Sequence, residues 1–253
     1  MTPPGTVHLV GAGPGAADLL TLRAARLLGE ADIVFHDALV APEILSLIQR
    51  AERVCVGKRS GRHSTAQAFI NKQLLDAARR YRTVVRLKGG DPMLFGRAQE
   101  EIDFLVRRGV RVEVVPGVTA AFAAAADLGI SLTQRGQARS VVFVTPRCAP
   151  GAPANDWVRA VLAADTAAIY MGSGEGGSIA AALISAGKPA STPVAVVENA
   201  SLPQLAVRFG SLEDLAGIAP RQSSGAALIL VGEIYAAATE AVAGLRRTAS
   251  QAA

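Results

Sequence analysis

Five short runs rich in valine and isoleucine, at residues 7–10, 33–35, 53–56, 84–87 and 112–115, are separated by stretches of helical periodicity. This alternation constrains the fold more than any other feature. The runs are continuously apolar and too short for buried helices, which is the pattern of strands covered on both faces. Between them, residues 18–29 set Leu19, Leu20, Ala24, Leu27 and Leu28 on one helical face. Ser64-Thr65-Ala66-Gln67 is a capping-box start to a helix reaching about residue 80, and 96–108 is a third helix that stops at Gly109. Strands alternating with helices predict a mostly parallel sheet.

Pro116-Gly117 closes this series, and an alanine-rich helix at 118–128 follows. A second rhythm then begins. Strands are expected at 140–145, 167–170, 194–197, 205–209 and 227–231, with helices at 157–164, 178–186 and 233–245. The strand at 205–209 alternates in polarity and leads into Gly210-Ser211, so antiparallel pairing is expected there. Residues 147–155 read as a surface loop and the tail after 247 as frayed. The predicted class is α/β: two α/β domains, 1–116 and 117–253, with mostly parallel sheets and an interdomain cleft as the expected ligand site.

Composition narrows the possible partners. Half of the residues are hydrophobic and 19% are charged, as in globular proteins. No run of about 18 apolar residues exists, so no membrane-spanning helix is expected. Met1-Thr2-Pro3-Pro4-Gly5 lacks the order of a signal peptide. Two cysteines, Cys55 and Cys148, exclude a disulfide scaffold and a cysteine zinc site, so a reducing cytoplasm and no metal are expected. Residues 50–111 hold 15 basic against 6 acidic residues, while the whole chain has a net charge of +5. Such a concentrated positive field attracts an anion. The low aromatic content, 4%, speaks against nucleic acid, and no one-faced basic helix points to a membrane surface.

Five segments carry chemistry. Val10-Gly11-Ala12-Gly13-Pro14-Gly15, between strand and helix, suggests a dinucleotide loop, with Asp37 placed as a ribose-binding acid. Its spacing is not G-x-G-x-x-G, and Pro14 has no N–H to offer a phosphate, so a tight turn lining a cleft is the better physical reading. Asp37-Ala38-Leu39-Val40 sets a carboxylate at a strand end, where open α/β sheets bind ligands. Gly57-Lys58-Arg59-Ser60-Gly61-Arg62-His63-Ser64 is an anion-binding candidate or a solvated connector. Lys88-Gly89-Gly90-Asp91-Pro92 lets a ligand approach the backbone closely. Val115-Pro116-Gly117-Val118-Thr119-Ala120-Ala121 turns sharply into a helix of small residues.

Taken in order, these motifs resemble the uroporphyrinogen-III C-methyltransferase family. Leu132-Thr133-Gln134-Arg135-Gly136, Tyr170-Met171-Gly172, Val197-Glu198-Asn199 and Val231-Gly232-Glu233 extend the resemblance over about residues 6–236. It implies a tetrapyrrole methylase fold rather than a Rossmann methyltransferase, and a homodimer. It also implies transfer of two methyl groups from S-adenosyl-L-methionine to C2 and C7 of uroporphyrinogen III, giving precorrin-2 and S-adenosyl-L-homocysteine. The cofactor positions fall on Pro14, Gly89, Gly90, Asp91, Leu94, Thr119, Ala120, Met171 and Ala200, and the active-site pair on Asp37 and Lys58. Arg59, His63 and Arg135 are candidates for the substrate, whose eight carboxylates suit an arginine-rich segment.

Ala38 stands where members commonly have arginine, and Gln134 where they have histidine. Ala98 and Gln99 replace two glycines, and Pro146 stands where Gly-His is common. These departures bear on substrate identity. The alternatives are a methyltransferase acting on a later precorrin and, remotely, an NAD(P)-dependent oxidoreductase. No fused dehydrogenase or ferrochelatase segment is expected.

Overall fold

The computed structural model describes residues 4–57, 67–148, 156–220 and 225–241. The chain divides into two compact units, Met1–Ala120 and Ala121–Ala253.

The first unit is built on five strands, β1 (Thr6–Gly11), β2 (Ile33–His36), β3 (Glu52–Cys55), β4 (Thr83–Lys88) and β5 (Arg111–Val115). They form one sheet in the order β3-β2-β4-β1-β5 with every pair parallel, as the continuous apolar runs predict. Alternation along the strands sends Val7, Leu9, Ile33, Phe35 and Val84 to one face. There they meet Ile70 and Leu74 of α3 (Gln67–Ala78) and Leu105 of α4 (Ala98–Val106). Full burial of each such side chain stabilises by about 1.5–3 kcal/mol. Val10, Val34, Val85 and Leu87 point the opposite way and are also buried, as are Leu27 and Leu28 of α1 (Leu22–Glu30).

The helix expected from residue 18 starts later. Thr21 accepts a hydrogen bond on Oγ1 from the Ala24 N–H at 3.1 Å and so caps α1, while Ala17–Leu19 forms a separate 3-10 turn. A short helix, α2 (Pro42–Ser46), is absent from the sequence reading; Pro42 opens it at the first helical position, where a missing N–H does no harm. Of the capping box at 64–67 only Gln67 is among the described residues.

The second unit contains α5 (Ala120–Leu128), β6 (Val141–Val144), α6 (Trp157–Ala163), β7 (Thr166–Tyr170), α7 (Gly176–Ser185), β8 (Pro193–Glu198), β9 (Ala206–Ser211), α8 (Leu215–Ile218) and β10 (Ala227–Gly232). Its sheet runs β6-β7-β10-β8-β9 and corrects the expectation of mostly parallel pairing. Only β6–β7 is parallel, whereas β10 runs antiparallel to both neighbours and β9 antiparallel to β8. A connection as short as 199–205 has no room for a parallel crossover, so β9 must turn back. β10 is apolar on both faces, and such a run reads the same in either direction. Val161, Ile179, Leu183 and Leu215 cover one face of this sheet, and Ala121, Ala124, Ile234 and Tyr235 the other. The helix expected at 233–245 opens as a 3-10 turn, Glu233–Tyr235. Among the described residues no helix is long and apolar enough to cross a membrane.

His8 lies on β1 directly opposite Glu113 of β5, with Nδ1 3.3 Å from the carboxylate but outside hydrogen-bond geometry. Burial holds its imidazole below the ordinary value of 6.5, against the pull of Glu113. The unfolded chain therefore takes up this proton more readily than the folded one. Stability is intact above 6.5 and falls as the pH drops through the folded value. In urea unfolding at pH 7.5 and 5.5, His8→Asn is expected to lose less stability on acidification than the parent chain; an equal loss in both would contradict this.

Candidate functional site at the strand ends of the first sheet

Three backbone segments meet at the C-terminal edge of the first sheet with no side chains between them. Beyond β1 and β4, Gly13 and Gly90 exchange hydrogen bonds, N–H to O at 3.1 and 2.7 Å, and the Ala12 N–H donates to the Lys88 carbonyl at 2.7 Å. Gly117, just after β5, packs onto both. A Cβ there would lie 2.4 Å from the Gly90 oxygen and 2.9 Å from the Gly11 Cα. Gly90 also sits at φ +66, a conformation that side chains resist. The Asp91 carboxylate stitches the edge together: Oδ1 accepts from the Met93 N–H at 2.8 Å and Oδ2 from the Gly117 N–H at 2.9 Å. Both oxygens of Asp91 thus hold backbone.

These contacts bring Pro14, Gly89, Gly90, Asp91, Leu94, Thr119 and Ala120 to one edge of one unit. The Leu94 N–H donates to the Asp91 carbonyl, and Thr119 is buried beside Gly90. At Gly89 the surface is open, and a Cβ would meet nothing within 4 Å. Met171 and Ala200 belong to the second unit. They follow β7 and β8 at the same end of that sheet, flanking the start of β10, whose Leu228 and Ala227 pair with Tyr170 and Glu198. Met171 holds a left-handed backbone, φ +57, and Ala200 is buried. Arg135 is exposed in a tight turn closed by the Gln134–Ala138 bridge. That turn follows an apolar groove of about 680 Å³ lined by Phe122, Ile130, Leu132, Thr133 and Phe143. Lys58, Arg59 and His63 lie outside the described residues. The described chain reaches Gly57 packed against the backbone of Asp37 and Ala38, where a Cβ would be 1.9 Å from the Ala38 nitrogen.

Beside this edge lies a cluster of four charges, of which the five sequence motifs include Asp37 and Lys88 but not Arg86 or Glu101. Arg86 and Lys88 alternate on β4 and point to the α3–α4 side. Arg86 Nη2 donates to Asp37 Oδ1 at 2.5 Å, and its Nε donates to Glu101 Oε1 at 3.3 Å. Lys88 Nζ reaches both Glu101 oxygens, at 3.1 and 3.2 Å, and Gln67 donates to Oε1 at 2.9 Å. Arg86 is 3% exposed and Glu101 is fully buried, whereas the Asp37 side chain is 32% exposed. Burial, with Arg86 nearby, pushes the Lys88 ammonium below its ordinary value against the pull of Glu101. Two cations and two carboxylates balance, so each buried charge has a partner.

Among the described residues, only part of the basic excess of residues 50–111 gathers here. Arg82 and Arg111 stand at strand starts, and Arg107 and Arg108 end α4, so all four lie at the opposite edge of the sheet. Arg111 pairs with Glu113, and Arg108 stacks on Phe104 at 3.6 Å. Parallel strands send one end of each to one edge, so a basic run along the chain divides between two. Near the candidate site, Arg97 adds an exposed bidentate pair with Glu100, at 2.7 and 2.8 Å. Leu39, Met93 and Phe95 stand exposed on the loops after β2 and β4.

Gly117→Ala tests the backbone junction. Overpacking against Gly90 and Gly11 is expected to destabilise the chain by about 1–3 kcal/mol in thermal unfolding. A variant as stable as the parent would show that the edge yields.

The family model for tetrapyrrole (corrin/porphyrin) methylases matches residues 6–216. The siroheme synthase of Zymomonas mobilis is 45% identical over 231 residues, 91% of this chain and 49% of that protein. The chain thus spans about half the length of the curated relatives it matches. Among solved structures, the uroporphyrin-III C-methyltransferase of Thermus thermophilus, complexed with S-adenosyl homocysteine, is 40% identical with a TM-score of 0.80. That match covers 92% of this chain and 100% of the other. A cobalt precorrin-4 methyltransferase is 30% identical with a TM-score of 0.76, covering 90% and 95%. These matches, together with the parallel sheet whose strand ends meet at Gly11, Gly90 and Gly117, show that the chain belongs to the tetrapyrrole methylase family and has that family's fold rather than a Rossmann methyltransferase's.

Proposed function

We propose that this chain is a uroporphyrinogen-III C-methyltransferase, which moves two methyl groups from S-adenosyl-L-methionine to C2 and C7 of uroporphyrinogen III and yields precorrin-2. The observation that carries this is the likeness to the Thermus thermophilus enzyme over the whole length of that chain. The name of the siroheme synthase relatives supports sirohaem as one destination of the product, and the likeness to a cobalamin biosynthetic enzyme supports cobalamin as another.

The residues present fit such a cofactor. It carries no phosphate, so Pro14 in the first loop withholds no donor that the ligand needs. The open surface at Gly89 and the small residues Gly90, Thr119 and Ala120 leave room for a nucleoside against the backbone. Asp91 braces this cradle through its two backbone hydrogen bonds, and Leu94 adds apolar contact. In the second unit, Met171 and Ala200 are the cofactor positions that the family resemblance assigns.

Bound S-adenosyl-L-methionine supplies a methyl group on a positively charged sulfur. The chain's task is to orient the acceptor and manage charge. As the pyrrole carbon forms its new C–C bond, the C–S bond breaks and the positive charge passes to the tetrapyrrole, which then gives up a proton. Asp37 faces that charge. One of its oxygens is tied to Arg86, and the other has no hydrogen-bond partner among the described residues. A carboxylate so held stabilises the cation or takes the proton. Lys58, Arg59, His63 and Arg135 would hold substrate carboxylates by charge-assisted bonds. A homodimer belongs to the same proposal, as does the cytoplasm; Cys55 and Cys148 are exposed and form no disulfide among the described residues, which supports a reducing compartment.

Anaerobic incubation with S-adenosyl-L-methionine and freshly reduced uroporphyrinogen III is expected to add two methyl groups by mass spectrometry. Cofactor binding without transfer would move the substrate to a later precorrin, the alternative on which the departures at Ala38 and Gln134 bear. Asp37→Asn is expected to reduce turnover about 10²–10⁴-fold while cofactor affinity stays within twofold; unchanged turnover would remove Asp37 from the reaction. Sedimentation of the purified chain tests the dimer, which a monomer at micromolar concentration would overturn.

A further inference from the structure

We propose that Arg86 is a positioning residue for methyl transfer, acting through Asp37 and anchored by Glu101. The inference rests on the reading of Asp37 given above. Its geometric basis is the span of one guanidinium. Nη2 holds Asp37 Oδ1, Nε holds Glu101 Oε1, and Nη1 donates to the Leu87 carbonyl at 3.1 Å. Three edges of a rigid, planar group are thereby fixed, and the fork cannot rotate without releasing one of them.

Glu101 has reasons of its own to stay put. It receives Lys88 and Gln67 besides Arg86, and Gln67 is itself linked to Asn71 one turn along α3 at 3.0 Å. The chain of contacts runs from the buried helices, through Glu101 and Arg86, to the half-exposed Asp37 at the sheet edge. Asp37 also follows the last residue of β2, and its N–H donates to the Leu87 carbonyl at 3.3 Å. Backbone and side chain of Asp37 are therefore both registered on β4. The oxygen not held by Arg86 is presented from a fixed place, and the peptide link from Asp37 to Ala38 packs against Gly57.

The balance of the cluster makes the idea testable. With Arg86 replaced by Met, Lys88 still neutralises Glu101, so no buried carboxylate is left without a cation. What is lost is the hold on Asp37. Arg86→Lys keeps a positive charge but cannot reach Asp37 and Glu101 together, and it serves where Arg86→Met does not fold.

The experiment is a double-mutant cycle on single-turnover methyl transfer, using Arg86→Met, Arg86→Lys, Asp37→Asn and the doubles, with cofactor affinity measured by calorimetry. Each Arg86 variant alone is expected to slow transfer 10–100-fold with cofactor affinity within twofold. In the Asp37→Asn background the same substitutions are expected to change the rate by less than twofold. If the losses multiply instead, Arg86 acts independently of Asp37 and the proposal is overturned. If Asp37→Asn alone transfers methyl at the parent rate, the reading of Asp37 fails first and takes the proposal with it.

Discussion

The close approach of backbone at Gly11, Gly90 and Gly117 is the constraint on which the rest of the first unit depends. It exists only in one register. β1 pairs with β4 so that Gly11 meets Lys88 and the Gly13–Gly90 bridge continues beyond the strands. A slip of one residue would set bulky Leu87 opposite Gly11 and turn Arg86 to the other face. The same register that opens the cradle therefore also flanks Arg86 with Leu9 and Phe35 and aims it at Glu101. Backbone geometry and charge placement are consequences of a single alignment.

That alignment carries a cost. Arg86, Lys88 and Glu101 are nearly or fully removed from water, and desolvation of such groups is only partly offset by their mutual attraction. A hydrophobic trio of similar volume would serve stability as well or better. The cluster makes sense as a scaffold for what it touches at its exposed end. It sits where the apolar core stops and the candidate site starts, and it converts rigid packing of α3 and α4 into a defined position for a carboxylate.

Much of this was legible in the chain. The ten strands among the described residues follow from short β-branched runs, and the spacing of the glycine-proline loop sets it apart from a Rossmann fingerprint. Strand direction was not legible for β10, because a doubly buried apolar run has no orientation written in it. Asp91 reads as a ligand position, but its bracing of the Met93 and Gly117 backbone is visible only in the fold. Glu101 lay within a stretch of helix and gave no local sign of burial; only the fold brings it to Arg86 and Lys88. The basic segment was visible as a total, but summing charge along a chain ignores that parallel strands deliver their two ends to opposite edges.

The place of β10 has a bearing on how the molecule comes into being. The first unit closes its sheet with strands drawn from residues 6–115, so every partner is available once that stretch has been made. The second unit is different. Its central strand is the last of the described strands in sequence, and until residues 227–232 arrive, β7 and β8 each lack a neighbour. A growing chain would then carry one finished unit and one with two unsatisfied, apolar strand edges, the species most prone to wrong pairing. Order of synthesis and order of the sheet are at odds only in the second half, where the strand at the centre is made after the neighbours that need it.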